Sequence, residues 1–134
     1  MKPSLLPLFV LTLLMTGCDT QTPFVRDTSR DAAKFTVSYT VEGTYSSCQI
    51  LYVKADRSTA NLPEVKLPWS TSFPVTIHKS GAPFGASVHA TCSDPDKFGK
   101  SMAAIFVNDT MKDRGATTGR GETSKALYFV TLDD

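Results

Sequence analysis

Residues 35–41 are Phe35-Thr36-Val37-Ser38-Tyr39-Thr40-Val41, with an apolar residue at every second position and a hydroxyl residue between. This period of two predicts a β-strand with one buried face and one exposed face. Further strands are predicted, between turn-forming residues, at 48–53, 65–69, 73–77, 86–92, 102–107, 110–113 and 126–132. Asn108-Asp109 is a plausible tight-turn pair before the strand at 110–113, and a glycine-rich loop is expected from Gly115 to Gly121. Because no ten-residue stretch after position 18 has helical periodicity, the sequence predicts an all-β domain of seven or eight strands, an antiparallel β-sandwich or a small barrel.

Length and composition favour one ordinary globular domain. The chain has 134 residues, of which 41% are hydrophobic and 20% are charged, which argues against wholesale disorder, a collagen helix or a coiled coil. Lys and Arg number 14 and Asp and Glu number 13. Such a balance gives no basic surface excess to attract nucleic acid, and we expect no nucleic-acid partner.

The N-terminal residues predict an export signal. Lys2 precedes an apolar run over residues 5–15, and Thr16, Gly17 and Cys18 follow. The run is shorter than the roughly 20 residues of a membrane-spanning helix. Met15-Thr16-Gly17-Cys18 resembles the lipobox of bacterial lipoproteins, which predicts that residues 1–17 are a signal peptide and that Cys18 is lipidated. An ordinary secretory signal with an incidental cysteine is the alternative.

The segment after the signal predicts a tether. Residues 18–33 comprise the lipidated Cys18 and a mostly polar stretch without periodicity, which would span roughly 20 Å as a flexible coil. The sandwich domain would then occupy residues 34–134. We therefore expect a protein of the bacterial cell envelope, attached to the membrane by its lipid anchor and facing the periplasm or the cell exterior.

Two cysteines remain for a disulfide. Cys48 and Cys92 are each in phase with the apolar residues of a predicted strand, so both side chains should point into the core. An even pair of cysteines in an exported chain favours a bond between them. Two buried thiols that never meet are the alternative.

Three other clusters invite a chemical interpretation. His78 and His89 would lie opposite each other if their strands paired across residues 80–85, and could then begin a metal site. No third ligand has a suitable spacing, so two exposed histidines are the better interpretation. Asp94-Pro95-Asp96 lacks the spacing of a calcium loop, and the segment Gly115–Ser124 lacks the order of a phosphate-binding loop. A solvated turn and a glycine-rich loop between strands explain them better.

Motifs for catalysis do not appear in the sequence. It contains no Gly-x-Ser-x-Gly, no catalytic-cysteine motif and no convincing pair of acids. We therefore predict a protein that is not an enzyme and uses no metal or other cofactor.

Several fragments, taken in order, carry a family resemblance. They are residues 35–43, Ile50-Leu51-Tyr52, Leu67-Pro68-Trp69-Ser70, and residues 105–109 followed by Lys112-Asp113. Together they resemble the extracytoplasmic domain of the MmpS family, small mycobacterial membrane proteins. The resemblance implies an Ig-like antiparallel β-sandwich and a role as accessory partner of MmpL transporters, which belong to the RND class and export lipids or siderophores. An acyl anchor would here replace the membrane helix of that family.

The most specific fragment supplies the candidate interaction residues Leu67, Pro68, Trp69 and Ser70. Trp69 could anchor a partner, but packing is the favoured interpretation because Leu67 and Trp69 continue a burial phase. The predicted function is protein–protein contact in the cell envelope by a non-enzymatic lipoprotein, with a transporter accessory role as one form of it. The alternatives are an inhibitor or immunity-type lipoprotein, and a module that binds a small lipid, sugar or peptide in a pocket lined by Tyr45, Phe84 or Phe98.

Overall fold

Eight antiparallel strands in two sheets form the domain. The structure, a computed structural model, describes residues 31–92, 98–119 and 122–134. The strands are β1 (Ala32–Gly43), β2 (Ser47–Val53), β3 (Thr59–Lys66), β4 (Trp69–His78), β5 (Phe84–Cys92), β6 (Gly99–Val107), β7 (Thr110–Gly119) and β8 (Thr123–Val130). No helix occurs in these three ranges. The all-β sandwich is confirmed, whereas the Ig-like assignment stays a prediction.

The strand order separates the two layers. Sheet A has the order β4-β1-β6-β7, and sheet B has the order β3-β2-β5-β8. Only the β2–β3 and β6–β7 connections join neighbours within a sheet, and every other connection passes from one sheet to the other. The two sheets face each other across one core, which is the arrangement of a sandwich and not of a small barrel.

The β6–β7 hairpin turns at Asn108-Asp109, as the sequence predicts. Both residues have positive φ angles, 48° and 67°, which a two-residue hairpin turn of this hand requires and which Asn and Asp tolerate. The Asn108 side chain also accepts a hydrogen bond from the backbone N–H of Thr36 at 2.9 Å, and the Asn108 N–H donates to the Thr36 carbonyl at 2.8 Å. The turn therefore continues the pairing of β1 beyond the end of β6.

The core is built from the inward positions of the alternating runs. Val37, Tyr39 and Val41 of β1 are fully buried, as the period of two predicts. Cys48 and Cys92 are buried as well, and they form a disulfide between directly opposed positions of β2 and β5, with Cα atoms 4.1 Å apart. The predicted bond is confirmed. It lies within sheet B and does not connect the two sheets.

Two predicted strand boundaries are wrong. The alternation of Val65, Leu67 and Trp69 predicted one strand, but β3 ends at Lys66 and β4 begins at Trp69. A cis peptide bond between Leu67 and Pro68 separates them, and the chain passes there from sheet B to sheet A. The alternation of apolar residues shows which side chains are buried on both strands. It does not show that the chain changes sheet between them.

The second error concerns the glycine-rich segment. A short strand over 110–113 and a loop from Gly115 to Gly121 were expected, yet β7 continues to Gly119. A Cβ at position 115 would lie 2.0 Å from the carbonyl oxygen of Lys125 in β8. Glycine is therefore used here for close approach of two backbones from different sheets, and it does not mark a turn.

The first strand starts slightly earlier than the predicted domain boundary at residue 34. β1 begins at Ala32, and the carbonyl of Asp31 accepts a hydrogen bond from the N–H of Lys79 at 2.8 Å. Asp31 thus lies beside the β4–β5 connection. Residues 1–30, which include the predicted signal peptide and Cys18, lie outside the described residues.

Candidate functional site

The Leu67–Ser70 motif forms the crossing between the sheets. Leu67 and Trp69 are half-buried against the core, whereas Pro68 and Ser70 are exposed. The Trp69 ring packs against the Tyr52 ring of β2, with 5.3 Å between ring centroids. This geometry supports the packing interpretation of Trp69 over the partner-anchor interpretation.

Trp69 begins a row of aromatic rings through the core. The Tyr52 ring is 5.7 Å from Tyr39, the Tyr39 ring is 5.5 Å from Phe73, and the Phe73 ring is 6.1 Å from Phe84. These separations are typical of tilted and edge-on aromatic packing, which contributes beyond simple burial. Tyr39 and Phe84 of this row are fully buried, and Trp69, Tyr52 and Phe73 are partly buried against the core.

The Tyr39 hydroxyl makes hydrogen bonds to two strands of the opposite sheet. It donates to the Val53 carbonyl at 2.8 Å and accepts from the Ser87 N–H at 3.4 Å. Burial raises the pKa of Tyr39 well above its ordinary value, although the hydrogen bond from Ser87 opposes this shift. The hydroxyl therefore stays protonated at neutral pH and ties two strands of sheet B to β1.

The histidines are not brought together. His78 lies at the end of β4 in sheet A, opposite Ala32, and His89 lies in β5 of sheet B, opposite Leu51 and Lys125. The hypothetical pairing across residues 80–85 is wrong because β4 and β5 belong to different sheets. Across residues 31–92, 98–119 and 122–134, no three His, Cys, Asp or Glu side chains could hold a metal ion together.

The three aromatic residues expected around a ligand pocket do not line one together, although Phe98 lines a hollow of about 570 Å³ with Thr44, Lys100 and Thr118. Phe84 is fully buried in the core, and the buried Tyr45 donates its hydroxyl hydrogen to the Gly119 carbonyl. Phe98 is 76% exposed. Two of the three aromatic residues thus stabilise the sandwich. Asp94-Pro95-Asp96 and Arg120-Gly121 lie outside the described residues.

A hollow of about 550 Å³ opens on the outward face of sheet A. We call it the sheet A hollow. Ser38 in β1 and Ser72 in β4 lie opposite each other there, with their hydroxyl oxygens 3.0 Å apart in a hydrogen bond. The lining also contains an aromatic ring and a carboxylate; its members are Ser38, Thr40, Ser70, Thr71, Ser72, Phe106 and Asp109. Ser70 connects this hollow to the motif singled out in the sequence.

An apolar pair lies on the outward face of sheet B. Leu127 is 55% exposed and Phe129 is 57% exposed, and we call these two residues the β8 patch. The Phe129 ring lies over Gly85 of β5, where a Cβ would be 3.3 Å from the ring. Two large apolar side chains on one face of one strand are thus left in contact with solvent.

Sequence reasoning missed the β8 patch. Residues 126–130 are apolar throughout, and the run predicted a strand without showing which side chains would be exposed. The inward positions are taken by Ala126 and Val130, so Leu127 and Phe129 are left on the outside. The sequence does contain a signal for the patch. Leu127 and Phe129 alternate with the buried Ala126 and Val130, and side chains on opposite faces of one strand cannot all point into the same core.

One carboxylate fastens the last strand to the other sheet. Asp134 accepts hydrogen bonds from the Tyr128 hydroxyl at 2.5 Å and the Thr131 N–H at 2.8 Å, and it forms an ion pair with Lys112 of β7 at 3.0 Å. Burial alone would raise the pKa of Asp134, but these hydrogen bonds together outweigh it and the pKa lies below its ordinary value. The same hydrogen bonds to Asp134 raise the pKa of Lys112 and of Tyr128.

No protein-family model matches the chain, and no curated protein matches its sequence. Within the part of the chain that the structure describes, no helix has the length and apolar character needed to cross a membrane.

Proposed function

We propose that this chain is a lipid-anchored protein of the bacterial cell envelope that is not an enzyme and contacts another envelope protein through its sandwich. The observation that carries the proposal is the use of the three cysteines. Cys48 and Cys92 are bonded to each other, so Cys18, at the end of the apolar run, is the one cysteine left for lipidation. Disulfides persist in oxidising compartments, which supports export.

The sheet A hollow is the proposed contact surface. It is broad and lined mainly by hydroxyl side chains, with the Phe106 ring and the Asp109 carboxylate beside them. Such a polar surface with an aromatic member suits a reversible contact with a protein loop, because hydroxyl groups both donate and accept hydrogen bonds. An accessory role beside a transporter, as the MmpS resemblance implies, is one form of this function.

Pairing of a partner strand with an open edge is less well supported. The edge strands β3 and β4 contain Pro63 and Pro74 respectively, and proline removes a backbone donor that an added strand would need. We therefore assign the contact to the outward face of sheet A.

Labelling of the intact protein tests the anchor. Cells that express the full chain are fed an alkyne fatty acid, and the purified protein is weighed with and without reductant. We expect the wild type to carry the label and to lose residues 1–17, and Cys18→Ser to remain unlabelled. Cys48→Ser is the matched control and should still be labelled. An unlabelled wild type, or a labelled Cys18→Ser, would contradict the proposal.

Site-directed photocrosslinking tests the contact surface. A benzophenone amino acid replaces Ser72 in the hollow or His78, which is exposed on the same strand and the same face. We expect one discrete adduct in native membranes from position 72 and none from position 78. Equal adducts from both positions, or none from position 72, would count against the hollow.

A sugar-binding module is the second candidate, because the same hollow offers hydroxyls, a carboxylate and an aromatic ring. It predicts that bacterial envelope oligosaccharides titrated onto the protein shift the NMR signals of residues around Phe106. The Phe106→Ala variant should lose these shifts, and an unperturbed spectrum of the wild type would exclude this candidate.

A further inference from the structure

The β8 patch lies near the end of the sandwich at which the chain begins its first strand. Asp31 is hydrogen-bonded to Lys79 in the β4–β5 connection, and β5 starts at Phe84, which pairs with Val130. Phe129 is therefore one residue from the end of β8, and that end of the sandwich also carries Asp31. We call this the N-terminal end, and the opposite end carries the Leu67–Pro68 crossing.

The neighbouring surface at this end is also apolar and is held in place. Ala82 and Pro83 are exposed directly before Phe84. Their carbonyl oxygens accept hydrogen bonds from the Arg57 guanidinium at 3.1 and 2.9 Å, which fixes this loop against the β2–β3 turn. The Ala82-Pro83 pair thus adds exposed apolar side chains, with the Arg57 cation beside them, to the end of the sandwich that also carries Phe129.

We propose that the β8 patch rests on the lipid surface to which Cys18 is attached, which orients the sandwich on the membrane. This inference depends on the lipid anchor of the proposed function. Twelve residues separate Cys18 from Asp31, a length that spans roughly 20 Å as a coil. A connection of this length would keep the end that carries Asp31 closer to the attachment point of the lipid than the end that carries Pro68.

Lipid is favoured as the occupant by charge as well as by position. Lys2 is the one charged residue before Cys18, so the mature chain has 13 basic and 13 acidic residues. The patch itself is uncharged, and apolar side chains partition into the boundary between headgroups and acyl chains without any need for anionic lipid. Lys125 lies on the same face of β8, two residues from Leu127, and the Arg57 guanidinium adjoins the Ala82-Pro83 loop. Anionic lipid should therefore strengthen the contact that the apolar side chains make.

The chain has a single tryptophan, Trp69, which makes a direct depth measurement possible. Trp69 starts β4 and His78 ends it, so Trp69 lies about 30 Å along the strand from the N-terminal end at roughly 3.3 Å per residue. The lipidated full-length protein is reconstituted into phosphatidylethanolamine–phosphatidylglycerol vesicles with brominated acyl chains, which quench tryptophan fluorescence on contact. Three proteins are compared: the wild type, W69F/F129W and W69F/T123W.

Thr123 supplies the matched control position because it lies on the same strand and the same face, six residues from Phe129. We expect quenching in W69F/F129W to exceed that in W69F/T123W by roughly twofold, because a side chain buried about 5–10 Å into the boundary approaches the brominated acyl chains. The wild type should be quenched least. Replacement of phosphatidylglycerol by phosphatidylcholine should lower the quenching at position 129, because Lys125 and Arg57 lie beside the patch, and should leave it above that at position 123. Should W69F unfold by circular dichroism, Trp69 is retained and its signal is subtracted.

Equal quenching at positions 129 and 123 would overturn the inference. That result is also the one expected if the patch binds a protein, since the vesicles contain none. Failure of the proposed function looks different, because an unlipidated chain would not float with the vesicles at all. A protein that floats but shows no difference between the two positions leaves the anchor intact and removes only the orientation.

Discussion

The two lateral sides of the sandwich protect their strand edges in different ways. On one side, β7 of sheet A and β8 of sheet B approach so closely that Gly115 meets the Lys125 backbone. The Asp113 carboxylate there accepts a hydrogen bond from the Leu127 N–H of β8 at 2.8 Å. On the other side, β3 and β4 are joined through Leu67 and Pro68 and leave their outer edges open.

The open edge strands, β3 and β4, each contain a proline, whereas the edge strands β7 and β8 contact each other. Thr36 uses both its N–H and its carbonyl toward Asn108, so the opposite residue Pro74 directs its nitrogen away from β1 and toward the open edge. Pro63 lies where the β2–β3 register shifts by one residue. The β7–β8 side is thus protected from pairing with another chain by packing between the two sheets. The β3–β4 side is protected by prolines, which lack the backbone N–H that an added strand would need.

The closed side should fail most severely when its close approach is blocked. Gly115→Val would place side-chain atoms against the Lys125 carbonyl, which forces β7 and β8 apart. We expect the free energy of unfolding to fall by about 3 kcal/mol, measured by urea denaturation. Gly81→Ala is the control, because a Cβ there meets His78 at 3.5 Å, an ordinary contact. An equal decrease in the free energy of unfolding in both variants would contradict the close approach of β7 and β8 at Gly115.

Acidification should weaken the closed side by a smaller amount. The pKa of Asp134 is below its ordinary value in the folded protein, so the carboxylate stabilises the fold above its unfolded-state pKa and this stability is lost as pH falls through its folded-state pKa. Asp134→Asn should cost about 1 kcal/mol at pH 7 and show a smaller decline in stability toward pH 2. Thermal unfolding at several pH values measures this. Asp133→Asn, at an exposed neighbour, should keep the wild-type decline.

The open side should respond in solubility and hardly in stability. Pro74→Thr restores a backbone donor on the outer edge of β4, and we expect the free energy of unfolding to change by less than about 0.5 kcal/mol. Self-association should increase, because an edge with its donors restored can pair with another chain. Sedimentation velocity measures it, and Thr76→Pro, two residues along, should not associate. A monomeric Pro74→Thr would show that proline is not what protects this edge.

Local patterns predicted the strands and much of the core. Residues 35–41 and 86–92 alternate strictly, and their apolar positions are the buried ones. The in-phase positions of Cys48 and Cys92 predicted side chains that point inward, which the disulfide confirms. Asn108-Asp109 predicted the hairpin turn because its residue types tolerate positive φ angles.

Relations between distant strands could not be predicted in the same way. Whether β4 pairs with β5 decides if His78 and His89 meet, and no local pattern reports pairing. The sheet A hollow needs β1, β4 and β6 side by side, so its members share no sequence signal. The sequence predicts a loop at Gly115, because glycine is common both in turns and where two backbones approach closely. The residue type alone does not distinguish these two uses.

The position of the disulfide also bears on how the strands find their register. Cys48 and Cys92 occupy directly opposed places on neighbouring strands, so the covalent bond prevents β2 from sliding along β5 by the two residues that would preserve its alternation of side chains. A slip of that size leaves every apolar residue on the correct face and is the misalignment that hydrophobic burial resists least. The disulfide therefore fixes the register of β2 against β5. It is incompatible with the shifted pairings that burial of the apolar side chains alone would allow.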